Sequence, residues 1–334
     1  MLGQEEVTWV KERHKELILA KPNVVGVGTG FQETRGRKTD KLCVVALVRE
    51  KVPKAGLHPD SLVPSELDGV RTDVIQVGEL RALQTRTDRI RPVPGGVSLG
   101  HYKVTAGTLG CVVRDRDTST QLILSNNHVL ANSNDARLGD PILQPGPLDG
   151  GRVERDMVAT LERFCTIQFS TEPATCSLAN GYASVGNTLA KLLKSKHRVM
   201  AYQSDPEAIN RVDAAVARPI DSVEVLDEIL DIGVVGGTAP AWLGMPVRKS
   251  GRTTGFTTGQ ITVLEATVII KYGDRSARFE GQIITGSMSK PGDSGSLLVA
   301  GDSLLAVGLL FAGSDQATIY NPIHDVLDNL EAVM

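Results

Sequence analysis

Residues 291–296 read Pro-Gly-Asp-Ser-Gly-Ser, and this short stretch does most to decide the fold. A serine hydroxyl is a weak nucleophile unless a base takes its proton and its position is fixed. Glycines on both sides allow a tight turn and the close approach of a substrate. The backbone N–H groups of Gly292 and Ser294 can then converge and stabilise an oxyanion. The alternative is a Gly-Asp turn that ends a hairpin, so the stretch alone carries moderate weight.

A base for this serine is the next requirement, and the chain has six histidines. His128 follows the strand-like run 122–124 and the polar residues Ser-Asn-Asn, so its ring can project from a strand end into a cleft. For an isolated histidine, a structural role with a bond to a backbone carbonyl would be favoured. The histidines at 14, 58, 101, 197 and 324 have no comparable setting.

A histidine that acts as a base needs an acceptor to hold its tautomer. Asp213 stands in the run Arg-Val-Asp-Ala-Ala-Val-Ala at 211–217, where small apolar neighbours predict burial. A buried carboxylate needs a partner, and His128 would supply one. Taken alone, an aspartate that caps a turn before a strand is about as good an interpretation.

In chain order these residues are His128, Asp213 and Ser294, and together they resemble the chymotrypsin- or trypsin-like serine peptidases over roughly residues 100–320. The resemblance implies two six-stranded β-barrels with a catalytic triad in the cleft between them. It implies that Ser294 is the nucleophile, His128 the general base and then acid, and Asp213 the residue that orients His128. The N–H groups of Gly292 and Ser294 would form the oxyanion hole.

The same resemblance suggests a substrate pocket. It places Met288 near the pocket floor and Phe311, Ala312 and Gly313 on one wall. No acid stands at Met288, so a medium-sized apolar residue is expected at the cleavage site in place of Lys or Arg. Methionine is also a common core filler, which is the alternative for Met288.

Three departures from the family pattern bear on activation. Asn127 precedes the histidine where the family usually has Ala, and the characteristic disulfides of the digestive members are absent. In many members a freed N-terminus pairs with the aspartate next to the serine, here Asp293. About 100 residues precede the barrels in this chain, so Asp293 either has a different partner or depends on cleavage or on a second protein. The sequence leaves these alternatives open.

The predicted organisation is mainly β, a chymotrypsin-like double β-barrel preceded by a small α+β N-terminal domain. The domain at 1–80 has a helix at 5–20 and strands at 24–28, 42–49 and 70–77, with a polar turn at 32–41. Residues 81–100 are rich in Arg, Pro and Gly and are interpreted as a linker.

The protease domain is predicted at 101–334, with short strands separated by turn residues. An insertion at about 165–205 interrupts them and contains a helix at 183–195, and a second helix is expected at 323–333. The predicted strands are 108–113, 121–125, 152–161, 212–216, 243–249, 258–270, 278–284, 295–300 and 304–312.

The N-terminal domain is similar to the leading domain of an intracellular bacterial branch of these peptidases, which resembles the plant narrow-leaf trypsin-like protein. The residues that carry this similarity are Val-Val-Gly-Val-Gly-Thr-Gly at 24–30 and the run 67–80. The similarity implies oligomerisation or docking of a regulatory partner, and no chemistry.

Composition narrows the class of protein. The 334 residues carry a net charge of −3 and are 41% hydrophobic, which is typical of a soluble chain of roughly two domains. The balanced charge argues against nucleic-acid binding. No run approaches the ~20 apolar residues of a membrane span, so no membrane association is expected. No HExxH motif or Cys/His cluster indicates a metal, and no cofactor is expected.

The compartment is inferred from the N-terminus and the cysteines. The first twenty residues are charged throughout and have no continuous apolar region, so a secretory signal is not expected and a cytoplasmic location is predicted. Cys165 and Cys176 are near enough in sequence to pair across a loop, but their spacing does not establish a disulfide.

These observations predict a serine endopeptidase that acts through an acyl-enzyme, with a dedicated intracellular protein as its target. The first alternative is a protease-fold scaffold or binding protein that is inactive, or active only with a partner. The second is an esterase-like acyl hydrolase that uses the same three residues. The natural substrate and the oligomeric state are left open by the sequence.

Overall fold

The structure is a computed structural model that describes residues 3–34, 37–53, 56–78 and 85–334. The chain divides into two compact units, Met1–Leu83 and Gln84–Met334. Among the described residues, no helix combines the length and the apolar character needed to cross a lipid bilayer.

The described residues of the first unit form one α-helix, a 3₁₀ turn at Pro59–Ser61 and a four-stranded sheet. Helix α1 spans Gln4–Leu19, and the strands are β1 Val24–Thr34, β2 Arg37–Val48, β3 Glu66–Leu67 and β4 Val70–Gln76. The strand order is β1-β2-β4-β3, with β2 and β4 parallel and the other pairs antiparallel.

The core of this unit lies between helix α1 and the sheet. Val7, Val10 and Ile18 of α1 are buried together with Val44 and Ala46 of β2. Leu17 of α1 lies outside this core and is 48% exposed. The predicted turn at 32–41 is shorter than expected, because the β1–β2 ladder continues to the pair Thr34 and Arg37.

The described residues of the second unit form strands, four α-helices and two short 3₁₀ helices, Asn132–Asn134 and Pro147–Asp149. The helices are α2 Asn127–Leu130, α3 Val153–Asp156, α4 Ser177–Leu192 and α5 Ile323–Asn329. The strands are β5 Val93–Gly95, β6 Ser98–His101, β7 Gly107–Thr108, β8 Cys111–Asp115, β9 Gln121–Ser125, β10 Pro141–Leu143, β11 Met157–Phe164, β12 Thr171–Pro173, β13 Tyr202–Ser204, β14 Ala215–Pro219, β15 Val225–Ile229, β16 Gly233–Val234, β17 Pro246–Gly251, β18 Gly255–Tyr272, β19 Arg275–Gly286, β20 Leu297–Ala300, β21 Ala306–Gly313, β22 Ala317–Pro322 and β23 Ala332–Val333.

Two eight-stranded sheets form the body of the second unit. The first has the order β23-β8-β9-β14-β11-β10-β6-β7, and the second has the order β13-β12-β19-β18-β17-β20-β21-β22. In the second sheet β19 also pairs with β22, which closes six strands into a barrel. A small sheet, β16-β15-β5, adds to the unit. This mainly β architecture, preceded in the chain by the α+β unit, confirms the predicted fold class.

A shared hydrophobic core joins the two sheets. It contains Leu122 and Leu124 of the first sheet and Leu297 and Leu309 of the second, all no more than 1% exposed. Helix α5 seals this core. Because the two sheets share a core, loops at their junction are held in fixed relative positions.

Two boundaries differ from the sequence-based prediction. Strands β5 and β6 occupy part of the stretch interpreted as the linker 81–100, and Val93, Val97 and Leu99 there are fully buried. Residues 79–84 lie outside the described part. The final helix ends at Asn329, since Ala332–Val333 pair with β8.

The predicted insertion consists of β12, helix α4 and β13. Strand β12 joins it to the second sheet through the pair Thr171 and Ser276. Helix α4 begins six residues before the predicted start at 183, because glycine, serine and asparagine in its first turns conceal the helical pattern. Its outward face carries large exposed apolar side chains, namely Leu178, Tyr182, Val185, Leu189 and Leu192. Cys165 and Cys176, whose pairing was open, are both free.

Candidate active site

His128 lies on the short helix α2, directly after strand β9. The two residues before it are buried asparagines whose side chains hold the backbone at this point. The amide of Asn126 donates to Asp213 O at 2.8 Å, and the amide of Asn127 donates to Cys165 O at 2.7 Å. Asn127, noted above as a departure from the family pattern, therefore ties the histidine segment to the end of β11.

Asp213 and His128 are joined by two hydrogen bonds. His128 Nδ1 lies 2.6 Å from Asp213 Oδ2, and His128 N donates to Asp213 Oδ1 at 3.2 Å. These residues are 85 positions apart, and the pairing of β9 with β14 brings them together through Ser125 and Ala215. A carboxylate can only accept, so Nδ1 is the protonated nitrogen, and Nε2 of a neutral ring keeps its lone pair.

The carboxylate of Asp213 is fully buried and has a third donor that the sequence did not reveal. The hydroxyl of Tyr272, at the end of β18, donates to Asp213 Oδ2 at 2.8 Å. The backbone of Asp213 is held as well, because Asp213 N donates to Asn321 Oδ1 at 3.0 Å. The buried charge thus has the hydrogen bonds that burial requires.

Ser294 lies in the loop between β19 and β20, where two glycines have positive φ. These are Gly292 at 100° and Gly295 at 94°, a region of backbone conformation that favours glycine. Strand β7 of the first sheet holds the loop: Thr108 N donates to Ser294 O at 2.7 Å, and Thr108 Oγ1 donates to Gly292 O at 3.0 Å.

The loop reaches the neighbourhood of His128 through Gly107. A Cβ atom at Gly107 would overlap Val129, the residue after His128, and would lie 3.0 Å from Ser294 O. The absence of a side chain there lets the serine loop and helix α2 approach each other. In the part of the chain that the structure describes, no hydrogen bond of 3.5 Å or less joins the Ser294 hydroxyl to His128. Such bonds are often long without substrate.

The two N–H groups proposed for an oxyanion hole are available. Among the described residues, neither Gly292 N nor Ser294 N donates to a backbone acceptor, whereas Asp293 N donates to Lys290 O at 3.0 Å and Gly295 N donates to Leu310 O at 2.8 Å. The loop therefore leaves two N–H donors free for a ligand, one on each side of Asp293.

Known proteins with similar sequences are bacterial serine proteases. Streptogrisin-A of Streptomyces griseus is 39% identical over 92 residues, which are 26% of this chain and 29% of that protein. Streptogrisin-D of the same organism is 38% identical over 174 residues, 49% of this chain and 39% of that protein. The chain thus spans less than half the length of these relatives. No protein-family model matches it.

Over these stretches the chain is similar in sequence to serine proteases of Streptomyces. Among solved structures, the Nocardiopsis protease (NAPase) is 16% identical, with a TM-score of 0.47 over 72% of this chain and 97% of that one. The predicted resemblance to the family is confirmed. The further similarity of the first unit to an intracellular branch stays a prediction.

Asp293, whose partner the sequence left open, pairs with Lys249 of strand β17. Lys249 Nζ lies 3.3 Å from Asp293 Oδ2, and both side chains are fully buried. Although burial alone would raise the pKa of Asp293, the Lys249 ammonium and the N–H groups of Lys290 and Thr253 hold that pKa below its usual value. The serine loop is therefore anchored by a cation from within the chain.

A signal for Lys249 was present in the sequence. Side chains alternate between the two faces of a strand, so residues two apart share a face. Val247 is 1% exposed and Lys249 lies on the same side of β17. A lysine at an inward-facing position requires a buried anion, and this reasoning would have pointed to an aspartate such as Asp293.

A cavity of about 460 Å³ opens next to Ser294. Its lining includes Ala312 and Gly313, together with Ser289, Pro291 and Leu310.

Met288 and Phe311 do not line this cavity, which corrects their expected place in the substrate pocket. Phe311 alternates with its neighbours on β21, so its side chain faces the opposite side and its ring lies 4.8 Å from that of Phe279. Met288 packs in the core of the second barrel, where its sulfur accepts from Tyr320 Oη at 3.6 Å. It also borders a separate groove of about 630 Å³.

Replacing Gly295 with alanine should destabilise the serine loop strongly. The residue has φ of 94°, and an added Cβ would overlap Ser125 Oγ and Thr108 O. Strain and overpacking together cost about 2–5 kcal/mol. Thermal unfolding should show a lower Tm, and labelling of Ser294 by a fluorophosphonate should be lost. Gly286→Ala is the control, because its added Cβ meets no atom within 4 Å. Equal Tm values for the two variants would contradict the prediction.

Proposed function

We propose that this protein is a serine endopeptidase that hydrolyses peptide bonds through a Ser-His-Asp triad. The observation that carries the proposal is the 2.6 Å contact between His128 Nδ1 and the buried Asp213 carboxylate, beside the loop that bears Ser294. This arrangement leaves His128 Nε2 as the free base of the pair. The sequence similarity to streptogrisins supports the same class of reaction.

In the proposed mechanism Ser294 Oγ attacks the carbonyl carbon of the scissile bond while His128 Nε2 takes its proton. The oxyanion that forms accepts hydrogen bonds from Gly292 N and Ser294 N. The imidazolium then gives its proton to the leaving amine, which leaves an ester between Ser294 and the acyl part of the substrate. A water molecule, deprotonated by His128, hydrolyses this ester. Asp213 holds the ring in the correct tautomer throughout.

The proposed substrate is a protein segment with a medium-sized apolar residue at the cleavage position. The 460 Å³ cavity beside Ser294 supports this choice, since Leu310 and Ala312 contribute apolar surface to it. We further propose a specific intracellular protein target and a cytoplasmic location. All four cysteines are free, which fits a reducing compartment. Oligomerisation or docking of a regulator through the first unit also stays a proposal.

Fluorophosphonate labelling of the purified full chain tests the proposal. We expect one adduct by intact mass and its location on Ser294 by peptide mapping, followed by internal cleavage of peptides in a library. Adduct formation should fall at acid pH, because a protonated imidazole cannot act as the base. No adduct on the folded protein would favour the scaffold hypothesis. Cleavage of small esters without any peptide cleavage would favour an acyl hydrolase.

A further inference from the structure

We propose that Tyr272 is a positioning residue for the His128–Asp213 pair, with its hydroxyl fixing the carboxylate that orients the catalytic base. This inference rests on the proposed peptidase function. It concerns a residue outside the three proposed for the triad. Tyr272 lies on β18 of the second sheet, whereas His128 and Asp213 adjoin β9 and β14 of the first sheet.

The contacts of Asp213 define the role. Its Oδ1 accepts from His128 N, and its Oδ2 accepts both from His128 Nδ1 at 2.6 Å and from Tyr272 Oη at 2.8 Å. The Tyr272 ring also meets the imidazole edge-on, with ring centroids 5.9 Å apart. One side chain thus bonds the oxygen that orients the base and packs against the base itself.

The groups around this contact leave Tyr272 as a neutral donor. Burial, followed by the charge of Asp213, raises the pKa of Tyr272 well above its ordinary value. The neighbouring thiol of Cys165 is also uncharged, because burial raises its pKa to about 12. Arg275, which pairs with Tyr272 across the hairpin, is engaged elsewhere, over the ring of Phe169 at 4.2 Å and with Asp135 at 3.2 Å.

The position of Tyr272 is fixed by the β18–β19 hairpin and by the base of the insertion. Tyr272 ends β18 and is paired with Arg275 across the tight turn at Gly273, which has φ of 64°. Its ring packs edge-on against Phe169 at 5.9 Å. The insertion is bonded to the same hairpin, since Ser170 N donates to Ser276 O at 2.8 Å.

Loss of the hydroxyl alone should change the base in a defined direction. Asp213 Oδ2 would lose one of its two donors, and the carboxylate would then attract the imidazolium more strongly. A nearby anion whose charge is less neutralised favours the protonated ring. The acid limb of the pH profile should therefore move to higher pH. With one fewer hydrogen bond the carboxylate is also less well oriented, so the plateau rate should fall.

The test compares Tyr272→Phe with wild type in the full chain, using the rate of fluorophosphonate labelling and peptide kcat/KM between pH 5 and 9. We expect the midpoint of the acid limb to move to higher pH. We expect the plateau to fall about tenfold, less than the ~10⁴-fold loss when a triad aspartate is neutralised. Tyr182→Phe is the matched control, since Tyr182 is 82% exposed on helix α4. An unchanged midpoint in Tyr272→Phe would overturn the proposal.

A second variant separates the hydroxyl from the packing of the ring. Phe169→Leu removes a ring that touches Tyr272 but leaves its hydroxyl, and should lower the Tm without moving the midpoint. If Tyr272 had only a structural role, both Tyr272→Phe and Phe169→Leu would lower the Tm and leave the midpoint unchanged. That result would also overturn the proposal.

The inference can fail independently of the proposed function. The protonation of His128 is followed by ¹⁵N-edited NMR of the imidazole, which needs no turnover. If wild type is inactive but the titration midpoint of His128 rises in Tyr272→Phe, the peptidase proposal fails and the role of Tyr272 stands. If wild type is active and neither midpoint moves, the role of Tyr272 fails alone.

Discussion

Ser294→Ala should abolish peptide hydrolysis, with a loss on the order of 10⁶ in kcat, as when the serine of other triads is removed. The alanine has no oxygen to attack the carbonyl, and the neighbouring donors Gly292 N and Ser294 N cannot replace a nucleophile. Residual hydrolysis from the oxyanion donors and substrate binding alone would stay far below the wild-type rate. The measurement is the initial rate on the best peptide found by library profiling, with the fluorophosphonate adduct determined in parallel.

The fold should survive this substitution. The Ser294 backbone oxygen, not its side chain, makes the bond to Thr108 N, so Tm should remain close to that of wild type. Ser287→Ala, at an exposed position on the same segment, is the control and should keep full activity. Hydrolysis by Ser294→Ala at more than a thousandth of the wild-type rate would contradict the assignment of Ser294, provided that the preparation is free of other proteases.

The part of the site that the sequence could predict has local signals. Gly292 and Gly295 on either side of a serine indicate a turn, and Asp213 among small apolar residues indicates a buried carboxylate. Neither signal is specific by itself. The order His128, Asp213, Ser294 along the chain made the prediction of a catalytic site more specific. In the structure, His128 and Asp213 are in direct contact.

Tyr272 had no such local signal. It lies 59 residues after Asp213, at the end of a long strand whose own pattern says only that the position is partly buried. The tip of the β18–β19 hairpin reaches Asp213 only because the two sheets of the second unit pack against each other. The hydrophobic periodicity of a segment shows which of its residues share a buried face. It does not show which other segment packs against that face.

The misplaced pocket residues have a similar explanation. The family resemblance gave an approximate location along β21, but a shift of one residue moves a side chain to the other face of a strand. Ala312 therefore lines the cavity while its neighbour Phe311 is in the core. The buried strand at Val93–Gly95 was missed because it pairs with Val225–Ile229, far along the chain, and its Pro and Gly resemble a linker.

Lys249→Met should destabilise the second unit and disable the serine loop. Methionine has nearly the length of lysine but no charge, so Asp293 would keep its buried carboxylate without the cation. Removing one partner of a buried ion pair costs about 3–5 kcal/mol. For a unit of this size each kcal/mol lowers the Tm by about 2–4 °C, so a decrease of roughly 10 °C is expected.

The activity of Lys249→Met should fall by more than its lower stability can explain. Asp293 Oδ2 also accepts from Lys290 N at 2.9 Å, and Oδ1 accepts from Thr253 N at 2.8 Å. These bonds hold Asp293, which lies between Gly292 and Ser294, against Lys290 and against the turn after β17. A carboxylate that turns towards water would break them. Fluorophosphonate labelling at a temperature where the variant is still folded should therefore be at least tenfold slower than that of wild type.

The pH dependence of stability distinguishes the ion pair from simple packing. Asp293 has a folded-state pKa below its ordinary value, so the pair contributes stability above about pH 4, and this contribution is lost as the pH falls through the folded-state pKa. In Lys249→Met the cation is gone and the pKa of Asp293 should rise. The difference in Tm between wild type and variant should thus be large at pH 7 and smaller near pH 3. A constant difference across this range would indicate lost packing only.

The double variant Lys249→Met/Asp293→Asn completes the argument. The asparagine carbonyl can still accept from Thr253 N, and no uncompensated charge remains in the core. If the cost of the single variant comes from the unpaired carboxylate, the double variant should recover part of the lost Tm. It should recover little of the labelling rate, because the amide group cannot accept from Lys290 N while Oδ1 faces Thr253. A double variant less stable than Lys249→Met would show that the Asp293 carboxylate stabilises the loop even without Lys249. The hydrogen bonds that it accepts from Lys290 N and Thr253 N would then be what anchors the loop.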